Sequence, residues 1–149
     1  MSFLLRKEDR EKIVEALNQG VGREIAAIIQ YLHHHYMAEG IASPEIIEKF
    51  EKTARDEMRH MEMFSERIAY LKGVPTTKPW PIKTGGDIGK MLRDDLEIEY
   101  TACELYKKHI KLCDELGDTT TRLMLEKILA DEEDHVDQWE TILEKRKIR

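Results

Sequence analysis

The chain has 149 residues, enough for one domain with a core of its own, and 36% of them are charged while 7% are aromatic. A formal net charge of −6 argues against general nucleic-acid binding, which needs a basic surface, and suits a protein that attracts cations. No run of 18 apolar residues and no signal-like start is present, so the expected setting is the cytoplasm, away from the membrane.

In chain order, the periodicity predicts helix A from about Glu8 to Glu39. Its seam reads Val14, Leu17, Val21, Glu24, Ile28, Tyr31, His35. One glutamate interrupts an apolar stripe. A second strip, Ile25, Ile29, Leu32 and Tyr36, calls for a partner subunit or a ligand, because a helix apolar on two sides is rarely left in water. Gly40 ends this helix. Ser43-Pro44-Glu45 opens helix B with a cap residue, a proline at the first position and an acid after it. The short connection makes A and B antiparallel neighbours.

Helix B is expected to reach about Lys72, before Gly73 and Pro75. Its seam is Ile47, Phe50, Ala54, Glu57, Met61, Phe64, Ile68, Leu71, with Glu57 where a leucine would be expected and His60 one turn on. The stretch 73–86, GVPTTKPWPIKTGG, is the one long irregular segment and reads as an ordered crossover, with Trp80 as its hydrophobic pin. Helix C spans about Asp87 to Leu116, with the seam Leu92, Leu96, Glu99, Cys103, Tyr106, Ile110, Cys113. Gly117 ends it and Asp118 caps helix D, whose seam is Leu125, Ile128, Glu132, His135, Trp139, Ile142. The residues after Leu143 are too few for a further helix. The expected fold is an all-α antiparallel four-helix bundle with a long crossover between helices B and C, one domain over residues 1–149.

Cys103 and Cys113 fall on one helix, roughly 15 Å apart, too far for a disulfide within it. They read as reduced buried thiols, or at Cys103, one turn from Glu99, as a redox or metal-handling group.

Two helices in each half of the chain thus repeat one pattern: a seam glutamate, then a Glu-x-x-His. The motif alone is weak, since glutamate makes up 20 of 149 residues. The phase carries the weight: Glu24, Glu57, Glu99 and Glu132 all land in core register. A buried carboxylate without a partner is costly. Four carboxylates with two neutral imidazoles, His60 and His135, would be balanced by two divalent cations. Carboxylate plus imidazole without thiolate favours Fe or Mn, with Zn able to enter. Two carboxylates can bridge the metals and two can cap one each, the inward-facing arrangement of ferritin-like di-iron bundles. Iron there could react with O2 or peroxide.

The segments REIAAIIQYLHHHY, DEMRHMEMFSERIAYLKGVP, MLRDDLEIEY and ILADEEDHVDQWE resemble bacterioferritin, and the resemblance covers roughly Glu11 to Leu143. It implies that Glu24, Glu57, His60, Glu99, Glu132 and His135 are the ferroxidase ligands, with Glu57 and Glu132 as the bridging pair. It implies that Tyr31 stands near the centre and could pass it an electron. It also implies that Met58, one from each of two subunits, holds a haem on a dimer axis, with Arg55 and Arg59 beside it. The expected function is oxidation of Fe2+ by O2 or peroxide for iron storage or detoxification, in a homodimer or larger homo-oligomer.

Two departures from the family stand out. The usual short fifth helix does not follow Leu143, which puts a 24-subunit shell in doubt. Lys52 stands where some members carry a histidine four residues before the acid at Asp56, so iron supply from an interior store is less certain. Alternatives from other classes are a rubrerythrin-like peroxide-reducing protein, which usually adds a four-cysteine module that two cysteines cannot supply; a DNA-protecting mini-ferritin, whose site usually lies between subunits; and a non-catalytic haem-binding or structural dimer. His33 and His34 read as surface imidazoles.

Overall fold

In a computed structural model, which describes residues 4–38, 40 and 42–145, four helices follow in order: α1 Lys7–Met37, α2 Pro44–Tyr70, α3 Ile88–Leu116 and α4 Thr119–Lys145. No strand occurs among the described residues. α1 packs on α2 and α3, and α4 on α3 and α2, so every neighbouring pair is antiparallel and α2 and α3 run the same way across a diagonal. The segment between α2 and α3 is therefore a strap that travels the length of the bundle. Glu39 and the residues after Lys145, on which sequence-level boundaries were placed, lie outside the described residues.

The boundaries follow local chemistry. Asp87 caps α3, its carboxylate accepting from the Lys90 N–H at 2.8 Å. Gly117 closes the helix in the left-handed region at φ 79°, where a side chain would be strained. Asp118 then opens α4 by accepting from the Thr121 N–H at 3.1 Å. Ser43 holds the expected N-cap position, but its side chain makes no capping hydrogen bond. Its hydroxyl is buried without a hydrogen-bond partner, and Pro44 at the first position carries the start of α2.

Two apolar clusters fill the bundle, one on each side of its middle. Ile13, Leu17, Phe64, Ile68, Tyr106, Leu125 and Ile128 form one; Tyr31, Phe50, Leu92 and Trp139 anchor the other. Between them lies a polar layer. The strap is pinned to α1 at Gly22, whose carbonyl accepts from the Trp80 N–H at 3.0 Å; a Cβ there would meet Trp80 and the Lys78 carbonyl at 3.0 Å. Trp80 is the expected pin.

The register of α1 is offset by one residue from part of its sequence seam: Ile13, Ala27 and His34 take the buried places expected of Val14, Ile28 and His35. His34 is 0% exposed, and its Nδ1 lies 2.8 Å from Asp95. The surface reading of His34 fails because steps of three and four residues can be taken in either order between the fixed points Leu17, Glu24 and Tyr31. His33 is exposed. The second strip of α1 is also divided. Ile25 and Leu32 pack on the two clusters, while Ile29 and Tyr36 remain 45% and 71% exposed. No described helix is long and apolar enough to cross a membrane.

Candidate metal centre

The polar layer is built one carboxylate per helix. Glu24, Glu57, Glu99 and Glu132 are each 0% exposed, from α1, α2, α3 and α4 respectively. His60 and His135 follow their glutamates by three residues and lean over the same face. Possible ligand atoms form two groups, each within 4.8 Å internally: Glu24, Glu57, Glu132 and His60, and Glu57, Glu99, Glu132 and His135. Glu57 and Glu132 belong to both groups. The six residues singled out from sequence therefore converge on one place, with two carboxylates shared and two private.

Both imidazoles turn Nδ1 inward. His60 Nδ1 lies 3.1 Å from Glu57 Oε1, and His135 Nδ1 lies 3.0 Å from Glu132 Oε1. Each outer nitrogen meets a carboxylate from the opposite helix pair: His60 Nε2 to Asp131 and His135 Nε2 to Asp56, both at 2.9 Å. A carboxylate on the far nitrogen fixes the ring and raises its basicity, the usual support of a metal-binding histidine. Asp56 also pairs with Arg59 and, at 3.5 Å, with Lys52. Lys52 thus adds a longer, exposed ion pair to an acid that Arg59 and His135 already hold.

Two tyrosines cross the bundle in the same manner. Tyr31 donates to Glu99 Oε1 at 2.7 Å, and Tyr106 donates to Glu24 Oε1 at 2.6 Å. Tyr31, picked from the sequence, does touch the cluster. Tyr106, Asp56 and Asp131 were missed as site residues, although the signal was available: Tyr106 stands as far after Glu99 as Tyr31 does after Glu24, and each aspartate directly precedes a seam glutamate.

Arg23 was missed too, and it changes the charge count. Its side chain is 2% exposed and enters the cluster. Nη1 donates to Glu57, to Glu132 at 2.7 Å and to Glu24 at 3.2 Å; Nη2 donates to Glu99 at 2.9 Å and to the Ile98 carbonyl at 3.1 Å. Burial is the largest influence and works to raise Glu24 and Glu99, but Arg23, the adjacent imidazole and the tyrosine hydroxyl together outweigh it and hold both down, Glu99 at about 2. Burial wins at Glu57 and Glu132, reinforced by the neighbouring carboxylates, and their proton affinities rise. Burial opposes charge on the imidazoles, yet the surrounding carboxylates push His60 up to about 12 and His135 to about 11. Without metal, the surrounding carboxylates thus favour protonated rings, whereas the neutral imidazoles expected from the sequence belong to the metal-loaded cluster. Displacing those protons belongs to any metal binding here.

The donor set fits divalent iron. It offers hard oxygens and two imidazoles, and no thiol belongs to either group among the described residues. Glu57 Oε1, Glu99 Oε2 and His60 Nδ1 are buried without hydrogen-bond partners and are members of the ligand groups. Cys103 stays outside them. Burial and the nearby Glu99 push its thiol to about 11, and burial pushes Cys113 to about 12, so neither is set up as a reactive thiolate.

Known proteins carry the same frame. A ferritin-like domain model matches residues 14–148. The bacterioferritin of Desulfovibrio desulfuricans is 36% identical over 138 residues, which cover 91% of this chain and 77% of that protein. Its crystal structure, described as showing the diiron site in different catalytic states, superposes with a TM-score of 0.88 at 34% identity, covering 91% of this chain and 80% of the other. Rhodobacter capsulatus bacterioferritin, solved with a metal-free dinuclear site and haem iron, gives a TM-score of 0.89 at 31% identity over 92% and 86% of the two chains. On the full-length match and the four-helix frame with its carboxylate layer, this chain belongs to the bacterioferritins of the ferritin-like family.

Proposed function

We propose that the chain is a cytoplasmic di-iron ferroxidase, acting as a single four-helix unit over its whole length, for iron storage or detoxification. The observation that carries the reading is the pair of ligand groups sharing Glu57 and Glu132. Two Fe2+ substrates bound side by side can each give up one electron. O2 takes both with two protons and leaves as H2O2; peroxide in its place leaves as water. Glu57 and Glu132 would bridge the two ions. Glu24 with His60, and Glu99 with His135, would hold one each. Mn or Zn could occupy the same donors. The chain's own residues do the positioning: Asp131 and Asp56 orient the imidazoles, Tyr106 and Tyr31 orient the private carboxylates, and the apolar clusters on either side exclude bulk water. Tyr31, hydrogen-bonded to Glu99, is placed to supply an electron to the same site. Stopped-flow mixing of protein with Fe2+ and O2 tests the reading. Fast oxidation saturating at two Fe2+ per chain is the expected result; slow oxidation with no saturation would remove it.

A second binding event is favoured by Met58. Its thioether is only partly buried although Glu57 beside it is fully so, and exposed Arg55 and Arg59 flank it. Thioether sulfur suits haem iron, and arginines suit propionates, although here Arg55 also pairs with Glu51 and Arg59 with Asp56. A haem shared by the Met58 side chains of two copies would use the exposed Ile29 strip as its dimer face. Reconstitution with haem should give a bis-methionine spectrum at one haem per two chains, erased by Met58→Leu. A protein that takes up no haem would leave the ferroxidase reading standing alone.

A further inference from the structure

Arg23 occupies the centre of the cluster, and its place on α1 has no counterpart on α3. The residue directly before Glu24 is an arginine; the residue directly before Glu99 is Ile98. Its donors reach one oxygen of each of the four glutamates and the Ile98 carbonyl. A guanidinium cannot neutralise by losing its proton, so this is a permanent positive charge. Metal–oxygen bonds to carboxylates are about 2.0–2.2 Å long, and two dications sharing Glu57 and Glu132 would use the oxygens on which Nη1 sits. Guanidinium and ion pair exclude each other by position and by charge.

We infer that Arg23 is a built-in counter-cation that binds the centre in competition with the metal ions, so that loading requires its withdrawal and Arg23 sets the affinity for the first ion. This inference rests on the di-metal reading above. A destination is already formed. Beside Arg23 lies a recess of about 90 Å³, walled by Ala26, Ala27, Trp80, Glu97 and Ile98. The two alanines leave room, and Trp80 adds an aromatic wall. Glu97, paired with Lys83 at 2.6 Å, supplies a carboxylate at the rim. Nη2 already bonds Ile98, so the guanidinium can turn outward about a contact it has made. The strap that supplies Trp80 to this wall is fastened at Gly22. Once the first ion has expelled Arg23, the second meets four carboxylates freed of their competitor. The two ions should therefore bind cooperatively.

Zn2+, which neither oxidises nor absorbs, is the probe. Calorimetric titration of the whole chain with Zn2+ and melting in chelator would be run on the native protein, Arg23→Gln and Arg23→Lys. The native protein should take two Zn2+ cooperatively. Arg23→Gln should bind its first Zn2+ roughly tenfold or more tighter, lose the cooperativity and, in chelator, melt at a lower temperature because the carboxylates have lost their counter-charge. Arg23→Lys keeps the charge with one donor nitrogen and should fall between; if the glutamine variant does not fold, the native and lysine titrations decide alone. Equal first-ion affinity in the native and substituted proteins would overturn the inference and leave the metal centre intact. One Zn2+ in the native protein against two in Arg23→Gln would also overturn it, by showing that Arg23 stays in place. Failure of all three to take up Zn2+ would remove the di-metal reading and this inference together.

Discussion

The two helix pairs carry nearly the same residues at the same steps, and the steps at which they differ show what each half contributes. Around Glu24 and Glu99, Tyr31 and Tyr106 cross to the opposite glutamate; around Glu57 and Glu132, Asp56 and Asp131 cross to the opposite histidine. Seven residues past each shared glutamate the halves diverge. Phe64 lies against Tyr106, centroids 5.4 Å apart, while Trp139 stacks on Tyr31 at 5.7 Å and donates its indole N–H to the Tyr31 hydroxyl at 2.9 Å. One tyrosine is therefore embedded in a polar chain and the other in an apolar wall. A turn further on, His34 finds a carboxylate, Asp95, and His109 finds only the amide of Gln19 at 3.3 Å. A pseudo-symmetric pair of candidate ligand groups thus sits in an asymmetric support, and Arg23 is its largest asymmetry.

The largest effect should come from the shared positions, where the halves ought to behave alike. Glu57→Gln and Glu132→Gln each keep shape and remove one negative ligand, so each should slow Fe2+ oxidation by about a hundredfold or more while the bundle stays folded. Stopped-flow oxidation with circular dichroism checks both, and a large difference between them would break the symmetry of the bridge.

The histidine difference should appear in pH dependence. Burial, with Lys108 nearby, holds His109 down to about 4 from 6.5. Below 6.5 the unfolded chain takes a proton that the folded site refuses, so stability is lost as pH falls from about 6.5 to about 4. Denaturant melts of His109→Gln should show a flatter acid limb, the difference reaching up to about 3 kcal/mol. In the other half the sign reverses. Burial, only partly offset by His34 and Gln30, raises Asp95 to about 6 from 3.8, so its contribution is fully present below 3.8 and is lost as pH rises through about 6.

The aspartates should separate by exposure. The Asp56 side chain is 12% exposed and that of Asp131 is 51% exposed, so solvent screens the second contact more. Asp56→Asn should weaken metal affinity by about 10- to 100-fold and Asp131→Asn by less, measured by Zn2+ titration.

The smallest effect concerns the tyrosines. Tyr31→Phe strands the Trp139 N–H and should cost about 1–3 kcal/mol, against about 1 kcal/mol for Tyr106→Phe. Equal losses in thermal melts would show that the indole finds another acceptor.

Much of this was legible in the chain itself. Helix starts and stops at Pro44, Asp87, Gly117 and Asp118 are local chemistry, readable without a fold. The convergence of the six proposed ligands was also legible, because a carboxylate at a core position of an amphipathic helix violates the apolar pattern wherever it stands, and a histidine three residues on shares its face. Three-dimensional structure was needed for whatever depends on reach and on slippage between helices. Arg23 lies one residue off the seam, and its long side chain crosses to glutamates on all three other helices; no periodicity encodes the direction in which a flexible side chain turns. His34 took the buried place assigned to His35 because both stand one turn after Tyr31, and which of the two faces inward is decided by packing, here against Asp95 of α3. That the four seam glutamates and the two histidines share a face toward the bundle interior is set by residue order. The charge they carry there, and which cation holds them apart, were settled by the packed bundle, because desolvation and pairing exist only once the four helices enclose the same small volume.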